Sequence, residues 1–466
     1  MESNKRHIYN SNKILNTVNE LYSNDKKRKL SDQIVKDIYI EAEKISDKNV
    51  SRQKNIKYNW QEKIDDIITS RWLAFPLMLF LLGAIFWLTI IGANYPSKLL
   101  ANLLFGIEAK LDMFFQWINA PGWLHGILVS GIYRTMAWVV SVMLPPMAIF
   151  FPIFTLLEDL GFLPRIAFNL DNIFKKVGAH GKQSLTMSMG FGCNAAGVIA
   201  ARIIDSPREK LIAILTNNFV PCNGRFPLLI ILSSLFIGST IGGAFSSVIA
   251  ALAVVFVILI GILITFLISW ILSHTLLKGI PSSFTLELPP YRKPQLGKVI
   301  IRSFIDRTLF VLSRAVIVAA PAGAIVWIFA NVSLNDISLI HLVSSFLDPF
   351  AILIGLDGII LLAFILGLPA NEIVIPIIIM SYLSAGHMIE PGSSEVLKET
   401  LVNNGWTWVT ALSTMLFSLL HFPCGTTLLT IKKETSSIKW TIFAALMPLL
   451  VAIGFNFILV QLINIF

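Results

Sequence analysis

From residue 73 onward the chain is a succession of long apolar runs separated by short polar or Gly/Pro-containing breaks. The first run, LAFPLMLFLLGAIFWLTIIGA (Leu73 to Ala93), is long enough to cross a hydrocarbon core of about 30 Å. The mixed segment Ser97 to Ala120, with Glu108, Lys110 and Asp112 among Leu and Phe, predicts a separate interfacial amphipathic helix. Further apolar segments lie near 123–157, 183–203, 209–238, 241–273, 308–330, 349–368, 371–385, 407–431 and 440–463. Several are short or interrupted, so the pattern predicts roughly eight to eleven helical elements, not all of them full spans. Residues 1–70 are polar throughout and predict an arm with short helical stretches, such as SDQIVKDIYIEAEKI, joined by Lys, Asn and Ser-rich linker.

Composition sharpens this into a class. Hydrophobic residues make up 55% of the 466 and charged residues 14%, where a soluble globule carries about 25% charged. The first 71 residues hold 15 of the 37 Lys and Arg, so the remainder is poorer still in charge. The expected fold class is all-α, a polytopic helical membrane protein in the cell membrane. A secreted domain, a soluble enzyme and a disulfide scaffold are excluded, and Cys193, Cys222 and Cys424 are an odd number in apolar surroundings. The net charge of +9 follows from Lys and Arg kept beside the spans, and nucleic acid is not expected as a partner. The basic arm predicts a cytoplasmic N-terminus, with the loops Lys278 to Arg307 and Lys432 to Lys439 on the same side. The acidic linker around Glu390, Glu395 and Glu399 is expected to face outward.

The second half repeats the first. Arg134-Thr135 followed by Pro145-Pro146 matches Arg307-Thr308 followed by Pro321. Asp171 precedes Asn194 by 23 residues, and Asp348 precedes Asn371 by the same 23. Pro221-Cys222-Asn223-Gly224 finds its counterpart in Pro423-Cys424-Gly425. The predicted organisation is a polar arm (1–70), a first span with its interfacial helix (71–120), a first repeat (121–275), a cytoplasmic loop (276–306) and a second repeat (307–466). Sites in repeat-built transporters lie where the repeats meet.

Three constellations carry chemistry. MGFGCNAAGV (Met189 to Val198) places three Gly around Cys193 and Asn194 in an apolar helix, at a cost of roughly 1 kcal/mol per Gly relative to Ala. Close helix packing through small residues offsets that cost, and so does a helix unwound at mid-membrane with backbone carbonyls, the Cys193 sulfur and the Asn194 amide facing a pathway. In NNFVPCNGRFP, Pro221 is expected to free the carbonyl of Asn217, as Pro423 frees that of Leu419. A thiol beside a freed carbonyl suits a borderline-soft metal such as Fe2+, whereas a single buried Cys usually behaves as a small hydrophobe. Glu372, in LGLPANEIVIPIII, is an ionisable group in an apolar segment. It reads as an ion ligand or proton carrier, or as half of an ion pair with Arg225 or Arg314. Asp357 beside Gly358 reads as a helix end. Gly181-Lys182-Gln183-Ser184 lacks the phosphate-loop pattern, and the seven His form no paired spacing, so no nucleotide site and no resident metal or cofactor are expected.

These residues resemble the membrane part of the ferrous iron transport protein B family. The likeness runs through TLLEDLGFLPRIAFNLD, MGFGCNAAGV, PCNGRFP, PANEIV and FPCGTTLLTIKKETSSIKW, and through KIDDIITSRWLAFPLMLFLL before the first span. The resemblance implies two Gate-type helical repeats with broken helices forming an Fe2+ pathway, with Cys193, Cys222 and Cys424 as metal-contacting or gating residues. The family usually carries an upstream GTP-binding domain, and residues 1–70 look like its trailing linker, so a separate small GTPase is expected as a partner. Two departures stand out. The usual Asn-Val-Pro-Ala is Asn194-Ala195-Ala196-Gly197 here, and the Lys that commonly precedes the Glu is Asn371. The reading is Fe2+ transport, the ion being cargo, through Cys193, Asn194, Cys222, Cys424 and Glu372 as metal-contacting residues, with no enzymatic activity. Self-association is left open. The alternatives are another divalent metal such as Mn2+, and a Gate-type nucleoside permease or membrane scaffold of spore formation.

Overall fold

The computed structural model of the chain describes residues 24–49, 65–68, 70, 73–238, 246–278, 295–334, 337–388 and 394–465. Glu390 and most of the linkers in the polar arm and the 276–306 loop lie outside the described residues. Within the arm, the expected helical stretch is helix α1 (Asn24–Asn49). Among the described residues nearly all regular structure is helical, and the strands are one two-residue antiparallel pair, Ser333–Leu334 with Ile337–Ser338.

Helix α2 (Ala74–Trp117) corrects one expectation. The predicted span and the predicted interfacial helix are a single 44-residue helix that continues through Pro96. Its second half is held by tertiary bonds. Tyr133 donates to the Leu104 carbonyl at 2.9 Å, and Glu108, buried, pairs with Arg134 at 2.8 Å. Glu108 and Asp112, which look like part of a surface stripe in the sequence, thus contact the next helix through Arg134 and His125, while Lys110 is exposed.

The remaining elements fall into two series with one order. The first is α3 (Gly122–Asp159), α4 (Phe162–Lys176), α5 (Gln183–Gly192) and α6 (Asn194–Ala200), α7 (Pro207–Thr216), α8 (Phe226–Gly238) and α9 (Ser246–His274). The second is α10 (Val299–Asn331), α11 (Leu339–Leu353), α12 (Gly358–Leu366) and α13 (Val374–Tyr382), then α14 (Ser394–Asn403), α15 (Trp408–Leu420), α16 (Gly425–Thr435) and α17 (Ile438–Ile465). Helix α14 interrupts the second series only.

Local bonds repeat along with the order. Asp171 Oδ1 accepts from the Gly181 amide at 3.0 Å, and Asp348 Oδ1 accepts from the Gly358 amide at 2.6 Å, each across ten residues. Both α3 and α10 contain a π-helical stretch, Gly126–Tyr133 and Ser303–Leu309, and a fully buried Thr, Thr135 just after the first and Thr308 within the second. The fifth helix of each series, α14 set aside, starts on a hydroxyl cap, Ser206 for α7 and Thr407 for α15. Asp357 caps α12 by accepting from the Ile360 amide at 2.6 Å, as its place beside Gly358 suggests.

Among the described residues five stretches are long and apolar enough to cross a membrane, and the bent pair α11–α12, folded by 108°, would make a sixth. This is a multi-pass helical membrane protein. Their burial differs by role. The Trp408–Thr435 stretch, broken at its Pro-Cys, is 72% buried, while Ile438–Ile465 is 22% buried and Val248–His274 33%. The broken stretch therefore sits at the centre, and α9 and α17, apolar all round, present Leu, Ile and Phe outward. The two series meet where α10 crosses the π stretch of α3. A Cβ on Gly323 would overlap the Gly131 carbonyl oxygen, so the backbones touch there without side chains between them.

Candidate functional site

Two interruptions in each series build the site. Helix α5 stops at Gly192, Cys193 is extended (φ −158°, ψ 124°), and Asn194 opens α6. In the second series Ala370 is extended (φ −152°, ψ 121°) and Asn371 opens a 3-10 turn leading into α13. The breaks thus precede the two Asn that the 23-residue spacing pairs. Gly190 and Gly192 in one copy, and Gly367 and Pro369 in the other, weaken the helix where it stops. The helix is unwound at Cys193, and Gly190 and Gly197 admit the Asn217 amide, which donates to the Asn194 carbonyl at 3.1 Å.

The Pro-Cys turns form the second pair of interruptions. Each is stitched to the first break of its own series. Asn223, after Cys222, donates its amide to the Gly192 carbonyl (3.3 Å), and Gly425, after Cys424, donates to the Leu368 carbonyl (2.7 Å). Both carbonyls expected to be freed by proline accept hydrogen bonds within the protein. That of Asn217 accepts from the Val220 amide at 3.3 Å, and that of Leu419 accepts from Arg225 Nη1 at 2.8 Å.

The four breaks border one small cavity of about 30 Å³. Cys193, Asn194, Cys222, Glu372 and Cys424, all five residues singled out in the sequence, line it, together with Asn223, Gly224, Asn371, Thr426, Met143 and Met147. The three thiols are free, Cys193 and Cys222 buried and Cys424 partly so. Asn194 is tied within its own series. With its amide oriented to satisfy both ends, Nδ2 donates to the carbonyls of Gly190 (3.1 Å) and Val220 (3.2 Å). Among the described residues no three of His, Cys, Asp and Glu converge closely enough to hold a metal ion.

Glu372 makes no ion pair with Arg225 or Arg314 among the described residues. Arg314 donates to Thr430 Oγ1 at 2.9 Å and stacks over the Phe310 ring, 4.1 Å from its centroid. The Glu372 carboxyl instead rests against Gly224, where an added Cβ would meet its Cδ at 2.6 Å. This leaves the carboxylate directed at the cavity with the reading of ligand or proton carrier intact.

The sequence reading missed the role of Arg225. It is fully buried and spans both series. Nη1 donates to the carbonyls of Asn218 and Leu419 (both 2.8 Å), and Nη2 to Asn218 Oδ1 (3.1 Å) and the carbonyls of Phe422 (3.2 Å) and His421 (3.4 Å). Asn218 Nδ2 also reaches the His421 carbonyl at 2.6 Å. The signal available in the sequence was Asn217-Asn218 and Arg225 flanking Pro-Cys in an apolar context. A guanidinium that fans over carbonyls exposed by two helix breaks is a brace for the cavity wall.

Comparison with known proteins agrees with this architecture. A family model described as nucleoside recognition (Gate) matches residues 140–236, and one described as ferrous iron transport protein B C terminus matches residues 254–306. The Fe(2+) transporter FeoB of Staphylococcus aureus (strain MSSA476) is 28% identical over 423 residues, covering 88% of this chain and 60% of the relative. The chain resembles the membrane part of the FeoB family. The Fe(2+) transporter FeoB of Methanocaldococcus jannaschii is 26% identical, covering 90% of this chain and 61% of that protein. A Fe(2+) transport protein A/Fe(2+) transporter FeoB fusion protein of Porphyromonas gingivalis is 25% identical, covering 82% and 49%. The chain thus spans about 60% of the FeoB relatives' length. No solved structure matches. The Gate match, residues 140–236, falls within the first series.

Proposed function

We propose that the chain forms a membrane passage for a divalent metal ion, ferrous iron foremost, and that Cys193, Asn194, Cys222, Cys424 and Glu372 line it. The observation that carries this reading is that all five, drawn from both series, border one cavity at the helix breaks. The names of the FeoB relatives support iron as the ion. Thiol sulfur, amide oxygen and carboxylate together suit a borderline ion that must be held briefly and then released. Regulation by a separate GTP-binding protein, a cytoplasmic N-terminus and self-association belong to the same proposal.

Uptake of radioactive Fe2+ into vesicles containing the purified chain, with and without a GTPase and GTP, tests it, and competition by Mn2+ ranks the ions. Cys222→Ala and Glu372→Ala are each expected to lower uptake by about tenfold, equivalent to about 1.4 kcal/mol of lost ion stabilisation, with expression and unfolding unchanged. Undiminished uptake in both variants removes them from the passage. Gly224→Ala is expected to mimic Glu372→Ala, because the added methyl displaces the carboxylate. Since the obstacle is the end of a side chain, stability should change by no more than about 1 kcal/mol. Normal uptake by Gly224→Ala would show that the carboxylate's position is immaterial.

The description of the matching Gate model favours a second reading, a nucleoside carrier. The cavity lining, however, contains no aromatic ring on which a base could stack. Accumulation of labelled nucleoside in the same vesicles, without metal uptake, would establish it instead.

A further inference from the structure

Two oxygen atoms of the cavity wall stand apart from everything around them. Asn371 is 8% exposed and Thr426 3%, and both line the cavity. Asn371 Oδ1 and Thr426 Oγ1 are nevertheless buried and make no hydrogen bond. Such groups are costly to leave unpaired, and native structures keep few of them. The Asn371 amide has its nitrogen turned toward Cys222 Sγ, at 4.0 Å, which leaves the oxygen as the free end. The counterpart residue in the first series behaves differently, since the Asn194 amide nitrogen donates to two carbonyls of its own series, those of Gly190 and Val220. At the position matching Thr426, two residues beyond the Pro-Cys cysteine, the first series has Gly224.

We infer that Asn371 Oδ1 and Thr426 Oγ1 are ion-facing oxygens that replace part of a divalent cation's water shell and set which ions pass. The inference rests on the metal-passage reading and adds ligands that reading does not contain. The thiols and the single carboxylate do not converge into a metal cage by themselves. An amide oxygen and a hydroxyl beside them add oxygen donors from the second series to the sulfur donors of both. Neutral oxygens favour ions such as Mn2+ and Fe2+ that accept carbonyl and water ligands, and they need no deprotonation to do so. Thiolates favour softer ions such as Zn2+. Removing the oxygens should therefore tilt the balance toward the thiol-preferring ion without abolishing binding.

The test uses the full purified chain in detergent, with Mn2+ and Zn2+ as probes and Asn371→Leu, Thr426→Val and their combination as variants. Equilibrium binding of each ion and the thermal unfolding midpoint are measured. The double variant is expected to lose Mn2+ affinity by about tenfold and Zn2+ affinity by less than about threefold. Its unfolding midpoint should stay level or rise, because an apolar replacement relieves an unpaired buried polar group. Thr426→Ser, which restores the hydroxyl, should recover Mn2+ binding. Parallel losses for both ions, unchanged Mn2+ affinity, or a lowered midpoint in both single variants would overturn the assignment and mark the two side chains as structural. A wild-type chain that binds neither ion would overturn the metal-passage reading itself, and the assignment with it.

Discussion

Replacing Arg225 by Leu is expected to destabilise the protein by about 3 kcal/mol or more, since each buried acceptor left without a donor costs roughly 1–3 kcal/mol. The guanidinium serves the carbonyls of Asn218 and Leu419 at 2.8 Å and of Phe422 at 3.2 Å, all in the buried centre. Leu removes these donors at once. Part of the loss is offset because the variant no longer buries a cation. The His421 carbonyl is spared, because Asn218 Nδ2 still reaches it. Arg225→Lys keeps the charge but places all its donors on one atom, which cannot span the Asn218 side and the Leu419–Phe422 side together, so it should recover less than half of the loss. Unfolding midpoints in detergent, compared with Arg202→Leu at an exposed site, measure the difference. A midpoint for Arg225→Leu within about 2 °C of wild type would show that the brace is dispensable.

Gly323→Ala is expected to be the most damaging single methyl addition between the two series, at about 3 kcal/mol. The added carbon would overlap the Gly131 carbonyl oxygen and lie 2.5 Å from Thr135 Oγ1 and 2.7 Å from its Cβ. Two of these obstacles belong to a buried Thr and the third is backbone, so nothing at the contact yields by a simple rotamer change. The reciprocal Gly131→Ala meets its neighbours at 3.0 Å, and about half the cost is expected. If Gly323→Ala unfolds no earlier than Gly131→Ala, the crossing of α3 and α10 is not the tight seam that the backbone contact implies.

The helical membrane architecture was legible because lipid leaves the backbone no partner but itself, so apolar runs of sufficient length read directly as helices. The broken helices were legible from Gly and Pro within those runs, and the repeat from paired Asp, Asn and Pro-Cys. The same marks led to Cys193, Asn194, Cys222, Glu372 and Cys424, which line one cavity. Arg225 escaped because its partners are mostly main-chain carbonyls, three of them at a turn almost 200 residues away, and carbonyls leave no trace in residue identity. The opposite error arose at Ser97 to Ala120. Charges there suggested a surface helix, but Glu108 is matched by Arg134 on a neighbour, and Pro96 did not end the helix before it. Pairing between helices turns polar residues inward in a way that helical periodicity cannot register.

The uninterrupted course of α2 has a mechanical corollary. Its 44 residues make a rod of about 66 Å. Ile85, a few turns from its start, packs in the same apolar cluster as Cys193, Met147 and Phe150. A tilt of about 5° pivoting there displaces the far end, near Trp117, by roughly 4 Å at 1.5 Å rise per residue. A push on either extremity is thus delivered as leverage beside a cavity thiol, with Pro96, which lacks the N–H for the Gly92 carbonyl, a place along the rod where it can bend.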